Sequence, residues 1–127
     1  MDKRTISATA LSFVGDAIYS LKVREFYVEA GYRQGRKLQE LSKRYVSAAG
    51  QTKAYYRLKE NGFLTEEEEA VFLRGRNAIT HIPRNGDRQS YETASGLEAL
   101  CGYLYLFDKE RCEELFREIF KGGEENA

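Results

Sequence analysis

Apolar residues near the start of the chain recur at intervals of three and four: Ala10, Leu11, Val14, Ala17, Ile18 and Leu21. That spacing predicts an amphipathic helix over roughly 6–30, ended near Gly31. A second helix is expected over 34–48, with Leu38, Leu41, Tyr45 and Val46 turned inward. Gly50 marks a break or a kink before a third helix over about 51–60, which the sequence ENGF closes, with Gly62 free to take the left-handed conformation. Thr65 and Glu68 have the spacing of a capping box that opens a fourth helix. Glu66 to Glu69 then suit the first turn of that helix, where acids complement the macrodipole, better than they suit an active site. Positions 75–90 read as irregular, with Gly75, the single proline Pro83 and the turn Asn85-Gly86-Asp87. Two more helices are expected over about 91–107 and, capped by Asp108, over 109–121, leaving a frayed tail at 122–127. No segment alternates like a strand, so the fold class is all-α, a bundle of about five to seven helices.

Composition narrows the class. At 127 residues the chain suits one domain with one core, and 42% hydrophobic with 31% charged residues excludes disorder. No apolar run approaches the roughly 18 residues that cross a membrane, and MDKRTIS lacks the core of a signal peptide, so a cytoplasmic location is expected. Cys101 and Cys112 are too few for a disulfide framework or a zinc site and are expected as free thiols. His81 is the only histidine, which rules out a histidine metal cluster and fits a loop residue or a minor nucleic-acid contact. The net charge of zero conceals segregation: residues 33–59 carry a net +7, from Arg33, Arg36, Lys37, Lys43, Arg44, Lys53, Arg57 and Lys59 against Glu40. Residues 60–70 and 91–127 are each −5, and residues 71–90 are +3. Such a basic segment suits a polyanion, although a solvated basic helix face has the same composition.

Two acids sit oddly in this pattern. On a helical wheel the apolar centre of the first helix falls near Val14 and Leu21, and Asp16 points about 150° away, beside Ser12, Tyr19 and Ser20. In the helix over 91–107, Leu97, Leu100 and Leu104 mark the core side. Glu98 points away from them, among Ala94, Ser95, Cys101, Gly102 and Tyr105. A solvent-facing side ordinarily carries Lys, Glu, Gln and Arg. Faces of Ser, Gly, Ala, Cys and Tyr are expected to be covered, for instance by a second subunit. A covered carboxylate must pair, protonate or bind a cation, and two carboxylates with water oxygens suit Mg²⁺.

The run FVGDAIYSLKV at 13–23 resembles the signature helix of the ribonuclease III family, and GLEALCGYLYL at 96–106 resembles its second acidic helix. Asp16 and Glu98 fall on the two matching acids. The chain length and LTEEEEAVFLRGRNA at 64–78 resemble the short, catalytic-domain-only subclass, Mini-ribonuclease III. The resemblance implies a catalytic domain over 1–121, no double-stranded-RNA-binding domain, and a homodimer whose signature helices meet at the two-fold axis, through Phe13, Gly15 and Tyr19. Full-length members carry two further acids, one turn before each matched position. Here those places hold Ser12 and Ser95, which puts a second tightly held metal in doubt.

The implied activity is Mg²⁺-dependent hydrolysis of double-stranded RNA, with Mn²⁺ as a substitute ion and products bearing 5′-phosphate and 3′-hydroxyl ends. Its implied task is maturation of the large-subunit (23S) ribosomal RNA precursor, with a ribosomal protein as a candidate for presenting the substrate. Candidate RNA contacts are Arg74, Arg76 and Asn77, where Gly75 would let backbone approach a phosphate, then Arg84, Asn85 and Arg88, and more weakly Lys43, Arg44 and Lys53. Two other readings stand beside this one: a non-catalytic double-stranded-RNA-binding or ribosome-assembly protein that keeps the fold, and a helical protein-interaction module.

Overall fold

A computed structural model describes residues 1–79 and 84–125; His81 and Pro83 lie outside these. Six helices follow one another: α1 (Ala8–Glu29), α2 (Gly35–Val46), α3 (Ala48–Glu60), α4 (Glu66–Ala78), α5 (Arg88–Phe107) and α6 (Lys109–Glu125). No strand occurs among the described residues.

The helix ends follow local chemistry. The Ser7 side chain caps α1 by accepting from the Ala10 N–H. Gly31 and Gly62 both have positive φ, 107° and 66°, and close α1 and α3. After α3 the N–H of Phe63 reaches back to the Leu58 carbonyl and that of Gly62 to Lys59, the paired bonds of a Schellman ending. The capping box of α4 is complete, with the Thr65 side chain accepting from the Glu68 N–H and the Glu68 side chain from the Thr65 N–H. Asp108 accepts from the Arg111 N–H at the start of α6.

Helix α5 forms the centre. Leu97, Ala99, Leu100, Cys101 and Leu104 are all buried, and α1, α3, α4 and α6 each pack against it. Each large apolar side chain enclosed in this way contributes about 1.5–3 kcal/mol. Glycines set the closeness. A Cβ at Gly102 would lie 2.0 Å from the Leu11 carbonyl oxygen, and one at Gly96 would lie 2.6 Å from the Phe72 ring. On the far side, α6 buries Cys112, Leu115, Phe116 and Ile119, and Phe120 stacks on Phe26 at 4.4 Å between ring centroids. A bidentate pair from Arg111 to Glu68, at 2.7 and 2.9 Å, ties α6 to the start of α4. Tyr55 and Tyr103 donate to Glu69 and Glu67, so three of the four consecutive acids serve structure, as their place in a first turn predicts.

The structure departs from the sequence reading at several places. The break between α2 and α3 falls at Ser47, not Gly50, because the Ser47 hydroxyl caps α3 by accepting from the Gly50 N–H. Helix α5 begins at Arg88 because Asp87 caps it, so residues 88–90 are helical. Helix α4 continues to Ala78, which places Gly75 within a helix. Helix α6 extends to Glu125, into the tail expected to fray, since adding turns to a nucleated and anchored helix costs little. The buried face of α1 is Leu11, Gly15, Ile18, Tyr19, Val23 and Tyr27, so the wheel centred on Val14 and Leu21 is rotated; Leu21 is exposed. Close contact at Gly15 selects that face. The opposite side of α5 is covered by α1 of the same chain and needs no second subunit.

Candidate functional site

Where α1 crosses α5, the structure brings Asp16 and Glu98 together. Asp16 is exposed, Glu98 is half-buried, and the two carboxyl groups are within hydrogen-bonding reach of each other. Burial first, then the hydrogen bond and charge of Asp16, push the Glu98 carboxyl up to about 8, and a hydrogen bond from Gln51 partly opposes this. Neither acid takes part in any ion pair among the described residues.

These residues fit a hydrated divalent ion. Two carboxylates without a basic partner leave negative charge that a cation would neutralise, and all their donor atoms are oxygen, the choice of Mg²⁺. No group of three or more His, Cys, Asp or Glu side chains that could hold a metal exists among the described residues. An ion here would therefore keep several waters.

Ser12 and Ser95 lie at the same crossing but direct their protons elsewhere. The Ser12 hydroxyl donates to the Ser95 carbonyl at 3.0 Å, and the Ser95 hydroxyl donates to the Gly75 carbonyl at 3.1 Å. Together they join α1 to α5 and α5 to α4, and offer an ion no charge.

Sequence reasoning missed Gln51. It is buried in the first turn of α3, and its amide donates to the Val46 carbonyl at 3.2 Å and to Glu98 Oε2 at 3.4 Å. A glutamine four places after a capping serine is ordinary helix sequence, and nothing in the sequence says that it faces position 98.

The basic candidates separate into groups. The Arg74 guanidinium donates to the Ile6 carbonyl at 2.7 Å, tying α4 to the N-terminal segment. Gly75 cannot approach a phosphate, because it is buried where a Cβ would stand 2.4 Å from that of Ala99. Arg76 and Arg88 both pair with Glu92, at 3.8 and 2.7 Å. Asn77, Arg84 and Asn85 are exposed. Arg44 and Lys53 line a separate open groove of about 830 Å³, with Tyr27, Tyr45, Tyr56 and Arg57, and neither acid lines it; Lys43 is exposed on α2.

Of the three expected interface residues, Gly15 and Tyr19 are placed inside the chain. Gly15 packs on the backbone of Glu98, and Tyr19 is 1% exposed with its ring edge-on to Phe116 at 5.6 Å. The small residue serves the α1–α5 crossing and the aromatic serves the core. Phe13 is 82% exposed, and Leu21 and Val28 on the same helix are exposed as well.

The chain is similar to known proteins in sequence and fold. The Ribonuclease III domain model matches residues 9–109. Mini-ribonuclease 3 of Enterococcus faecalis is 41% identical over 98% of this chain and 97% of its own length. Mini-ribonuclease 3 of Staphylococcus aureus is 36% identical over 91% of this chain and 88% of its own. A crystal structure of a Fusobacterium nucleatum protein superimposes with a TM-score of 0.81 at 32% identity, covering 94% of this chain and 96% of that one.

Proposed function

Because the chain belongs to the ribonuclease III family, in its Mini-ribonuclease 3 branch, and is an endoribonuclease of double-stranded RNA, we propose that Asp16 and Glu98 are its catalytic, metal-holding pair. The observation that carries the reading is their meeting: two carboxyl groups from helices 82 positions apart share one place without a basic partner. A bound Mg²⁺ supplies charge neutralisation at the scissile phosphate and acidifies the attacking water, and Mn²⁺ has the same capacity.

The chain's own groups do the rest. Asp16 and Glu98 hold their oxygens on two rigid helices locked by the glycine crossing. Ser12 and Ser95 keep that crossing fixed through their bonds to backbone carbonyls. Arg76, Asn77, Arg84, Asn85 and Arg88 extend from the end of α4 to the start of α5 and meet phosphates and 2′-hydroxyls across the shallow groove of A-form RNA. Lys43, Arg44 and Lys53 give a second, weaker contact, and Arg74 joins when its bond to Ile6 exchanges for a phosphate.

The protein acts as a homodimer. Helix α1 buries one face against α5, α2 and α4, and the exposed apolar side chains Phe13, Leu21 and Val28 on the same helix supply the seam. Two sites across the seam cut both strands and leave 5′-phosphate and 3′-hydroxyl ends. The substrate is a duplex stem of the large-subunit ribosomal RNA precursor, processed in the cytoplasm, with a ribosomal protein presenting it. No helix among the described residues is long and apolar enough to cross a membrane.

The test is incubation of duplex RNA and Mg²⁺ with the unaltered protein, Asp16→Asn and Glu98→Gln. Cleavage by the unaltered protein, lost in both variants while RNA binding persists, is the expected result. Undiminished cleavage by either variant overturns the assignment of the pair. RNA binding without cleavage by the unaltered protein would point to a non-catalytic relative.

A further inference from the structure

The corner between α2 and α3 is unusually tight. Ser47 ends one helix and caps the next. Gly50, one turn in, lies so close to the Arg44 carbonyl that a Cβ would stand 2.1 Å from its oxygen. This closeness fixes the next residue, Gln51, whose backbone N–H donates to the Ser47 carbonyl at 2.9 Å. Its side chain then reaches back to Val46 and across to α5.

The orientation of the amide follows from its neighbours. The Val46 carbonyl and Glu98 Oε2 are both acceptors, so the NH₂ group faces them. That leaves Oε1 of Gln51 buried without a hydrogen-bond partner among the described residues, and the hydroxyl of Tyr19 is buried in the same condition. An amide with an unmet carbonyl is a costly packing residue, where an apolar side chain of equal length would fill the space without that cost. The interaction that distinguishes glutamine from such a side chain at this place, besides the bond to Val46, is the one to Glu98. At 3.4 Å it is a long hydrogen bond, reaching Oε2 from the α3 side.

We infer that Gln51 is a positioning residue for Glu98, holding Oε2 from the α3 side so that the carboxylate is aimed at the ion it shares with Asp16. This rests on the reading of Asp16 and Glu98 as metal ligands. It adds a third helix to a site otherwise built from α1 and α5, and makes the α2–α3 corner part of the catalytic support. Partners that orient a ligating side chain typically change metal affinity or activity about 10- to 100-fold when removed.

The experiment uses Mn²⁺ alone as the probe, titrated by electron paramagnetic resonance into the full chain without RNA. Gln51→Met keeps the side-chain length and removes the donor. It is expected to bind Mn²⁺ about 10- to 100-fold more weakly, with kcat lowered and affinity for duplex RNA unchanged. Equal Mn²⁺ affinity in Gln51→Met and the unaltered protein overturns the inference while leaving the Asp16–Glu98 reading intact. Equal affinity in Asp16→Asn and the unaltered protein overturns both. Should Gln51→Met fail to fold, the side-chain amide resonances of Gln51 decide. In the unaltered protein they are expected to shift on addition of Mg²⁺, and not to shift in Glu98→Gln; resonances unmoved by saturating Mg²⁺ in the unaltered protein overturn the inference.

Discussion

The backbone carbonyl of Glu98 stands where a side chain on Gly15 would be: a Cβ there would lie 1.6 Å from the oxygen and 2.9 Å from the Gly102 nitrogen. No rotamer relieves such a clash, because every atom concerned is backbone. Gly15→Ala is therefore expected to force α1 off α5 and cost about 3 kcal/mol or more, at or above the upper end for overpacking. Thermal melting measures the cost. Any fraction that still folds should have lost Mn²⁺ binding, since Asp16 moves with α1.

Glu98 binds its proton more tightly folded than unfolded, being raised to about 8 from 4.5 by burial and by Asp16. Its contribution to stability is fullest below about pH 4.5 and is lost as pH rises toward 8. The metal-free protein should thus melt at a lower temperature at pH 9 than at pH 6, relative to Glu98→Gln, which has no proton to lose. Added Mg²⁺ should restore melting temperature most at the higher pH, because ion and proton compete for one carboxylate. Cleavage by Glu98→Gln should fall by about 10²–10³-fold, the equivalent of several kcal/mol of charge stabilisation. A parallel pH dependence of melting in the two proteins would contradict this account.

Arg111 holds Glu68 against its burial. Desolvation raises the Glu68 carboxyl, but the bonds from Arg111 and Thr65 outweigh it and leave the group below its ordinary value. Arg111→Met strands a buried carboxylate and should cost about 3–5 kcal/mol at neutral pH. The pair's contribution is present above the ordinary glutamate range and is lost as pH falls through the depressed value. Urea unfolding at pH 7 and pH 3 should show the gap between the two proteins closing at the acid end.

Phe13→Lys places a charge among the exposed apolar side chains of α1. Sedimentation should show a monomer in place of a dimer, with melting of the isolated fold changed by less than about 0.5 kcal/mol. An unchanged sedimentation coefficient would remove Phe13 from the interface.

Arg84→Ala and Arg88→Ala should each weaken duplex RNA binding across sequences and reduce the slope of log K against log salt by about 1. Arg74→Ala should do less to the slope, because its guanidinium is engaged by the Ile6 carbonyl, and more to the melting temperature. Fluorescence titrations at several salt concentrations separate the two effects.

Much of this architecture is written in short-range signals. The stops at Gly31 and Gly62, the Thr65–Glu68 box and the Asp108 cap depend on neighbours within a few positions, and all are present. Asp16 and Glu98 could be paired because each sits within a recognisable helix. What the sequence hid is tertiary. The face that α1 buries is chosen by a glycine fitting against another backbone, which no hydropathy wheel registers, so Gly15 and Tyr19 read as subunit interface and lie inside the chain. Gly75 read as a loop for the same reason, its partner being 24 positions away at Ala99. Gln51 carried no signal at all until α3 was seen beside Glu98.

The hydroxyl bridges of Ser12 and Ser95 bear on any attempt to rebuild a four-acid centre here. A glutamate at 12 or an aspartate at 95 would contribute oxygens to a second ion but could no longer donate to the backbone it now fastens. Richer metal chemistry and a firmly joined scaffold are thus alternatives at these two positions, and the two hydroxyls of this chain serve the second, fastening α1 to α5 and α5 to α4.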